Sequence, residues 1–200
     1  MIRLHEHYRR PDWVRRLNWM GDSVLGAHHL VSLEPGGLIE QARVATGLSD
    51  FGDFDGDWRG RLERLVEEIE RTAQLHVVGR LMTREEILRG LITRLLLTQR
   101  HREQPAIARE PIEAPIVIAG PARSGTTILH ELLWLDPDAR SPLGYEALHP
   151  APHRSLAGER RAQVAECEQE LWSDVQPEFA AIHELASRLP MDYYRVPREE

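Results

Sequence analysis

Between Gly120 and Thr127 the chain reads Gly-Pro-Ala-Arg-Ser-Gly-Thr-Thr, a short loop with two glycines, an internal arginine and hydroxyls at Ser124, Thr126 and Thr127. Glycine tolerates backbone angles that a Cβ resists, so Gly120 and Gly125 let successive N–H groups converge on one point. Ahead of the loop, Ile116, Val117, Ile118 and Ala119 form an unbroken apolar run framed by Pro115 and Gly120. Such a run predicts a strand covered on both faces, the central strand of a parallel sheet. Behind it, Ile128 and Leu129 open a helix whose positive end would face the same point. Strand, glycine loop and helix in that order make a cradle for phosphoryl-type oxygens.

The nucleoside-triphosphate form of this loop has glycine, four variable residues, then Gly-Lys and a serine or threonine. Gly120 and Gly125 keep that spacing, but Thr126 stands where the lysine would reach the outer phosphates. Arg123 is the cation within the loop instead. Thr127 holds the place of the magnesium-binding hydroxyl, yet no strand ending in a partner carboxylate stands out, so no metal is expected. The pattern turns away from ATP or GTP hydrolysis.

Taken with the following Ile-Leu-His-Glu-Leu-Leu, the loop resembles the 5′-phosphosulfate loop of sulfotransferases, most nearly the bacterial, actinobacterial-type members in which a helical N-terminal region precedes it. The likeness extends less specifically to the lead-in from Phe51 to Arg102, Glu110-Pro111-Ile112, Leu135-Asp136-Pro137, Tyr145-Glu146, and the stretch from Ile182-His183 to Leu189-Pro190. The resemblance implies an α/β fold, mostly helix by residue count, with a helical N-terminal region followed by a partial P-loop-type parallel core. It implies 3′-phosphoadenosine 5′-phosphosulfate (PAPS) as donor, and transfer of its sulfuryl group to a hydroxyl or amine of a small molecule, lipid or glycan. Arg123 would contact the bridging or 5′-phosphate oxygens, while Gly120, Ser124, Gly125, Thr126 and Thr127 would hold the 5′-phosphate. Sulfuryl transfer resembles phosphoryl transfer in its loose, in-line transition state, so fixed donors aimed at developing charge do most of the work.

The acceptor must also lose a proton to a base within reach. Glu146 is the first candidate, since it follows a possible second strand at Ala139 to Leu143, and strand ends in parallel sheets face the ligand crevice. A helix-start carboxylate is the equal alternative. His183 is the second candidate, with a structural histidine as the favoured alternative reading.

Net charge is −7 with a pI near 5.8, and all twenty-five basic residues are arginines, which excludes the basic face of a general nucleic-acid binder. The lone Cys167 rules out a disulfide within the chain and, lying in a pattern with Val164 and Leu171, is expected in the core. Ten histidines suggest metal binding, but neither His28-His29 nor His149 with His153 is completed at zinc spacing. No apolar run like that of a signal peptide or a spanning helix occurs, so a cytoplasmic protein without a transmembrane segment is expected.

Several helices must position the loop. Trp13, Val14, Leu17 and Met20 share helical spacing, as do Leu62, Leu65, Val66, Ile69 and Ala73 after a loop from Gly47 to Gly56. Thr83 and Glu86 form a capping-box signature ahead of an apolar stripe from Ile87 to Leu96. Three prolines between Gln104 and Pro115 predict an extended connection, which places a boundary between a helical region, 1–110, and an α/β region, 111–200. Later helices are expected from about Gly158 to Ser173 and from Pro177. One clear strand cannot bury a sheet. The expectation is therefore an N-terminal half, completed by a second chain or a missing C-terminal half. The rival readings are a kinase-like phosphotransferase and a truncated, inactive nucleotide-binding or interaction fragment.

Overall fold

The computed structural model describes residues 8–23, 26–53, 56–121, 124–152, 159–180 and 186–190. Its first half is a helical assembly of α1 (Asp12–Ser23), α2 (Ala27–Leu30), α3 (Pro35–Thr46), α4 (Trp58–Thr72) and α5 (Val77–Glu103). Local chemistry sets their ends. The Glu34 carboxylate accepts from Gly36 N at 2.7 Å and Gly37 N at 2.6 Å, and Pro35 starts α3 with its φ already helical. Those amide bonds hold the Glu34 carboxyl below its ordinary range. Gly47, at φ 70, stops the helix in the left-handed conformation, its N–H bonded to Arg43 O. Asp57 caps α4 through Gly60 N at 2.8 Å.

α5 has 27 residues and so runs about 40 Å, along the whole assembly. Leu91 and Leu95 from its second half join Leu33, Leu38, Ile39, Ala42, Phe51, Leu62 and Val66 in the main core. Val78 and Met82 from its first half meet Val14, with Trp13, Leu17, Trp172 and Val175 packed around them. Arginines pin the loops to this rod. Arg80 forks onto Glu70 at 2.7 and 2.5 Å and donates from Nε to Val31 O at 2.6 Å. Arg94 donates to Phe51 O at 2.6 Å and lies over Trp58, whose ring stacks on Phe51 with centroids 4.5 Å apart.

The expected helix start at Thr83 is corrected: Thr83 and Glu86 lie inside α5, which begins at Val77 because Val77 and Val78 are buried and continue the apolar face upstream. Glu86 turns to Arg89 instead.

Beyond α5 come a 3-10 turn (Ile107–Arg109), α6 (Thr126–Trp134), α7 (Gly144–Leu148), α8 (Glu159–Val175) and α9 (Pro177–Ala180). α8 packs on α7, and Gly144 at the head of α7 is crowded: a Cβ there would stand 2.9 Å from Ala186 O and 3.1 Å from Gln169 Nε2 of α8. Gly144 N and Tyr145 N bond Leu189 O and Ser187 O, each at 2.9 Å.

The parallel sheet is not seen among the described residues. Ile116 is 75% and Val117 81% exposed, and no strand forms around them. An extended run becomes a strand only when a neighbour takes its backbone groups, and among the described residues none lies alongside. Ala139 to Leu143 likewise makes no strand, only one antiparallel bridge from Leu143 to Pro190. Cys167 is exposed rather than in the core. Ala162, Ala165 and Gln169, at helical spacing, occupy the buried face of α8 and leave Cys167 on the other side. No helix among the described residues is long and apolar enough to cross a membrane.

Candidate functional site

The loop passes from Gly120 to the head of α6. Gly125 takes φ 89, a left-handed conformation that suits glycine, and its carbonyl receives the Leu129 N–H at 3.1 Å. The first amides of α6 precede that bond and so point out of the helix end, where the helix dipole favours an anion. Gly120 faces the same turn: a Cβ there would lie 2.7 Å from Ser124 Oγ and 3.1 Å from Thr126 Cγ2. Gly125 is thus favoured by its φ, and Gly120 by the room it leaves for the Ser124 and Thr126 side chains. Ser124 N–H donates to Pro121 O at 3.2 Å, which fixes the turn and leaves the hydroxyl as that residue's remaining donor. Arg123 and His183 lie outside the described residues.

Glu146 starts α7. Its Oε2 accepts from Leu143 N and its Oε1 from Arg140 Nη2, both at 3.0 Å. The helix-start alternative therefore describes its present contacts, although each carboxylate oxygen keeps a further lone pair. α6 reaches this segment through His130, whose Nε2 is 2.6 Å from Ser141 Oγ. Nothing in the sequence marks Ser141, which belongs to no motif.

A second polar cluster lies between α5 and α8. Glu168 Oε2 is 3.0 Å from His149 Nε2 and 3.4 Å from Arg89 Nη1, and Glu86 closes on the other side of Arg89. Burial pushes the neighbouring Glu85 carboxyl up to about 7; the pull of Arg89 is outweighed, and the charges of Glu168 and Glu86 raise it further. No sequence signal marked Glu85. Among the described residues no group of three His, Cys, Asp or Glu side chains gathers as metal ligands would.

No family model matches the chain. A stretch of 54 residues, 27% of this chain and 13% of its relatives' length, is 48% identical to the omega-hydroxy-beta-dihydromenaquinone-9 sulfotransferase Stf3 of Mycobacterium bovis and, equally, of Mycobacterium tuberculosis. The structure superimposes on that of sulfotransferase STF1 from Mycobacterium tuberculosis with a TM-score of 0.63 and 27% identity, over 78% of this chain and 44% of that one. The chain is thus similar to mycobacterial sulfotransferases over part of its length, and it spans less than half the length of those it matches.

Proposed function

We propose that the chain carries the donor-binding loop of a PAPS-dependent sulfotransferase. The observation that carries this is the left-handed Gly125 at the head of α6, with Gly120 lying close to Ser124 and Thr126, in a chain whose backbone aligns with a solved sulfotransferase. The left-handed glycine and the outward amides fit an anionic group better than an apolar one. In the reaction, the bond from sulfur to the donor's phosphate oxygen breaks as a bond to the acceptor oxygen or nitrogen forms. The acceptor's proton passes to a base, and adenosine 3′,5′-bisphosphate leaves. Ser124, Gly125, Thr126 and Thr127, with Gly120 beneath them, hold the 5′-phosphate, and Arg123 neutralises the charge that grows on the leaving oxygen. Glu146 is the acceptor's base, with His183 second.

The relative's name specifies a hydroxyl on a long isoprenoid quinone, which favours a lipid-like hydroxyl among the possible acceptors. We also propose that residues 116–119 become the strand of a P-loop-type core when neighbouring strands are supplied, that 1–110 is a helical N-terminal region and 111–200 the first part of the α/β core, packed on it through Trp172 and Val175, and that the protein works in the cytoplasm.

The test is comparative. Adenosine 3′,5′-bisphosphate at about a hundred times its Kd should stabilise the protein by about 2.7 kcal/mol, while ATP with magnesium should not. The opposite order favours the kinase-like reading, and no shift with either, together with no transfer from labelled donor, favours a non-catalytic fragment.

A further inference from the structure

α6 presents much of its apolar surface to solvent: Ile128 is 64% exposed, Leu129 47% and Leu132 60%. Burial of apolar area therefore does little to fix where this helix, and the loop at its head, stand against their surroundings. A polar contact spans the gap. His130, one turn beyond Thr126 on the same helix face, meets Ser141 at 2.6 Å in a part-buried contact. Ser141 adjoins Arg140, which bonds Glu146 at 3.0 Å. Loop, helix and carboxylate are thus joined through two hydrogen bonds between side chains, His130 to Ser141 and Arg140 to Glu146.

We propose that His130 is a positioning residue: through Ser141 it sets the head of α6, with the amides that face the donor, against the segment carrying Glu146. The inference deepens the donor-binding reading and rests on it for its functional consequence. The chemistry suits a permanent tie. A serine hydroxyl both donates and accepts, so it donates to a neutral Nε2 and accepts from a protonated one. His130 acts through Ser141 and touches neither donor nor acceptor.

The experiment uses the full chain in five forms: wild type, His130→Ala, Ser141→Ala, the double variant, and His130→Gln, whose amide reaches the Nε2 position. Two quantities are read: hydrogen exchange of the α6 amides and affinity for adenosine 3′,5′-bisphosphate. Each alanine variant is expected to speed α6 exchange about five- to tenfold, the worth of one hydrogen bond, and to weaken nucleotide binding by a similar factor. The double variant should go no further than either single one, and His130→Gln should restore both readouts. Exchange unchanged in the alanine variants, full additivity, or no rescue by glutamine would each overturn the proposal. If the wild type fails to bind the bisphosphate, the donor-binding reading falls and the functional role of the tie falls with it, while the exchange data still judge the tie itself.

Discussion

Glu168 accepts from both His149, at 3.0 Å, and Arg89, at 3.4 Å, through a single oxygen, and so joins α8 to α5 and to the segment that follows α7. Beside it sits Glu85, whose ionisation is opposed by burial and by two neighbouring carboxylates. A carboxyl raised from about 4.5 to about 7 binds more protons folded than unfolded across that window. Its contribution is fully present below pH 4.5 and is lost as pH rises through 7. Glu85→Gln should remove this slope and raise stability at pH 8 by on the order of 1 kcal/mol, after allowance for solvent screening. Urea midpoints between pH 5 and pH 8 give the answer; a wild type and variant with parallel pH curves would refute it.

Arg80 is 4% exposed and satisfies Glu70 and Val31 O together. The guanidinium draws the Glu70 carboxyl below its ordinary value, so this pair strengthens above that value and weakens as pH falls. Arg80→Ala should cost about 3 kcal/mol by stranding both partners, and Arg80→Lys should recover only part, since an ammonium cannot fork. Thermal unfolding of the three proteins measures this.

Leu95 is fully buried in the main core, on α5 opposite α3. Leu95→Ala should destabilise by about 2–5 kcal/mol through lost burial and a residual cavity. Calorimetry should show the drop, with far-UV dichroism retained at low temperature if the variant still folds.

At the loop, Gly125→Ala forces a Cβ into φ 89 and Gly120→Ala drives one toward Ser124 Oγ. Each should weaken adenosine 3′,5′-bisphosphate binding at least tenfold, because the amides move off the point they share. Arg123→Ala should instead spare binding more than turnover, with a loss of roughly a hundredfold in transfer rate, the worth of one fixed donor to developing charge. Isothermal titration beside a labelled-donor assay separates the two patterns.

Helices driven by periodic apolar residues were legible: the spacing of Leu62, Val66 and Ile69 anticipates α4, and the stretch expected from Gly158 to Ser173 is α8, Glu159–Val175. The placing of glycine at 120 and 125 was legible too, since Gly125 takes φ 89 and a Cβ on Gly120 would crowd Ser124 and Thr126. What sequence obscured is context. Thr83 and Glu86 carry the residues of a cap, but a cap needs the chain to arrive from outside a helix, and here it arrives inside one. Ile116 to Ala119 has the composition of a buried strand, while strand formation depends on neighbours that composition does not supply. Cys167 shows a third limit: two small alanines at the right spacing took the inner face, and the thiol was left outside. Ser141 and Glu85 gain meaning only from partners distant in sequence.

Both apolar clusters hang on one unbroken rod, α5, which lends Leu91 and Leu95 to one and Val78 and Met82 to the other. Melting of either cluster therefore pulls away the backbone of its neighbour. The helical half should lose its structure in a single cooperative event, and a kink introduced midway along that rod, as by Gly90→Pro, should split the event into two.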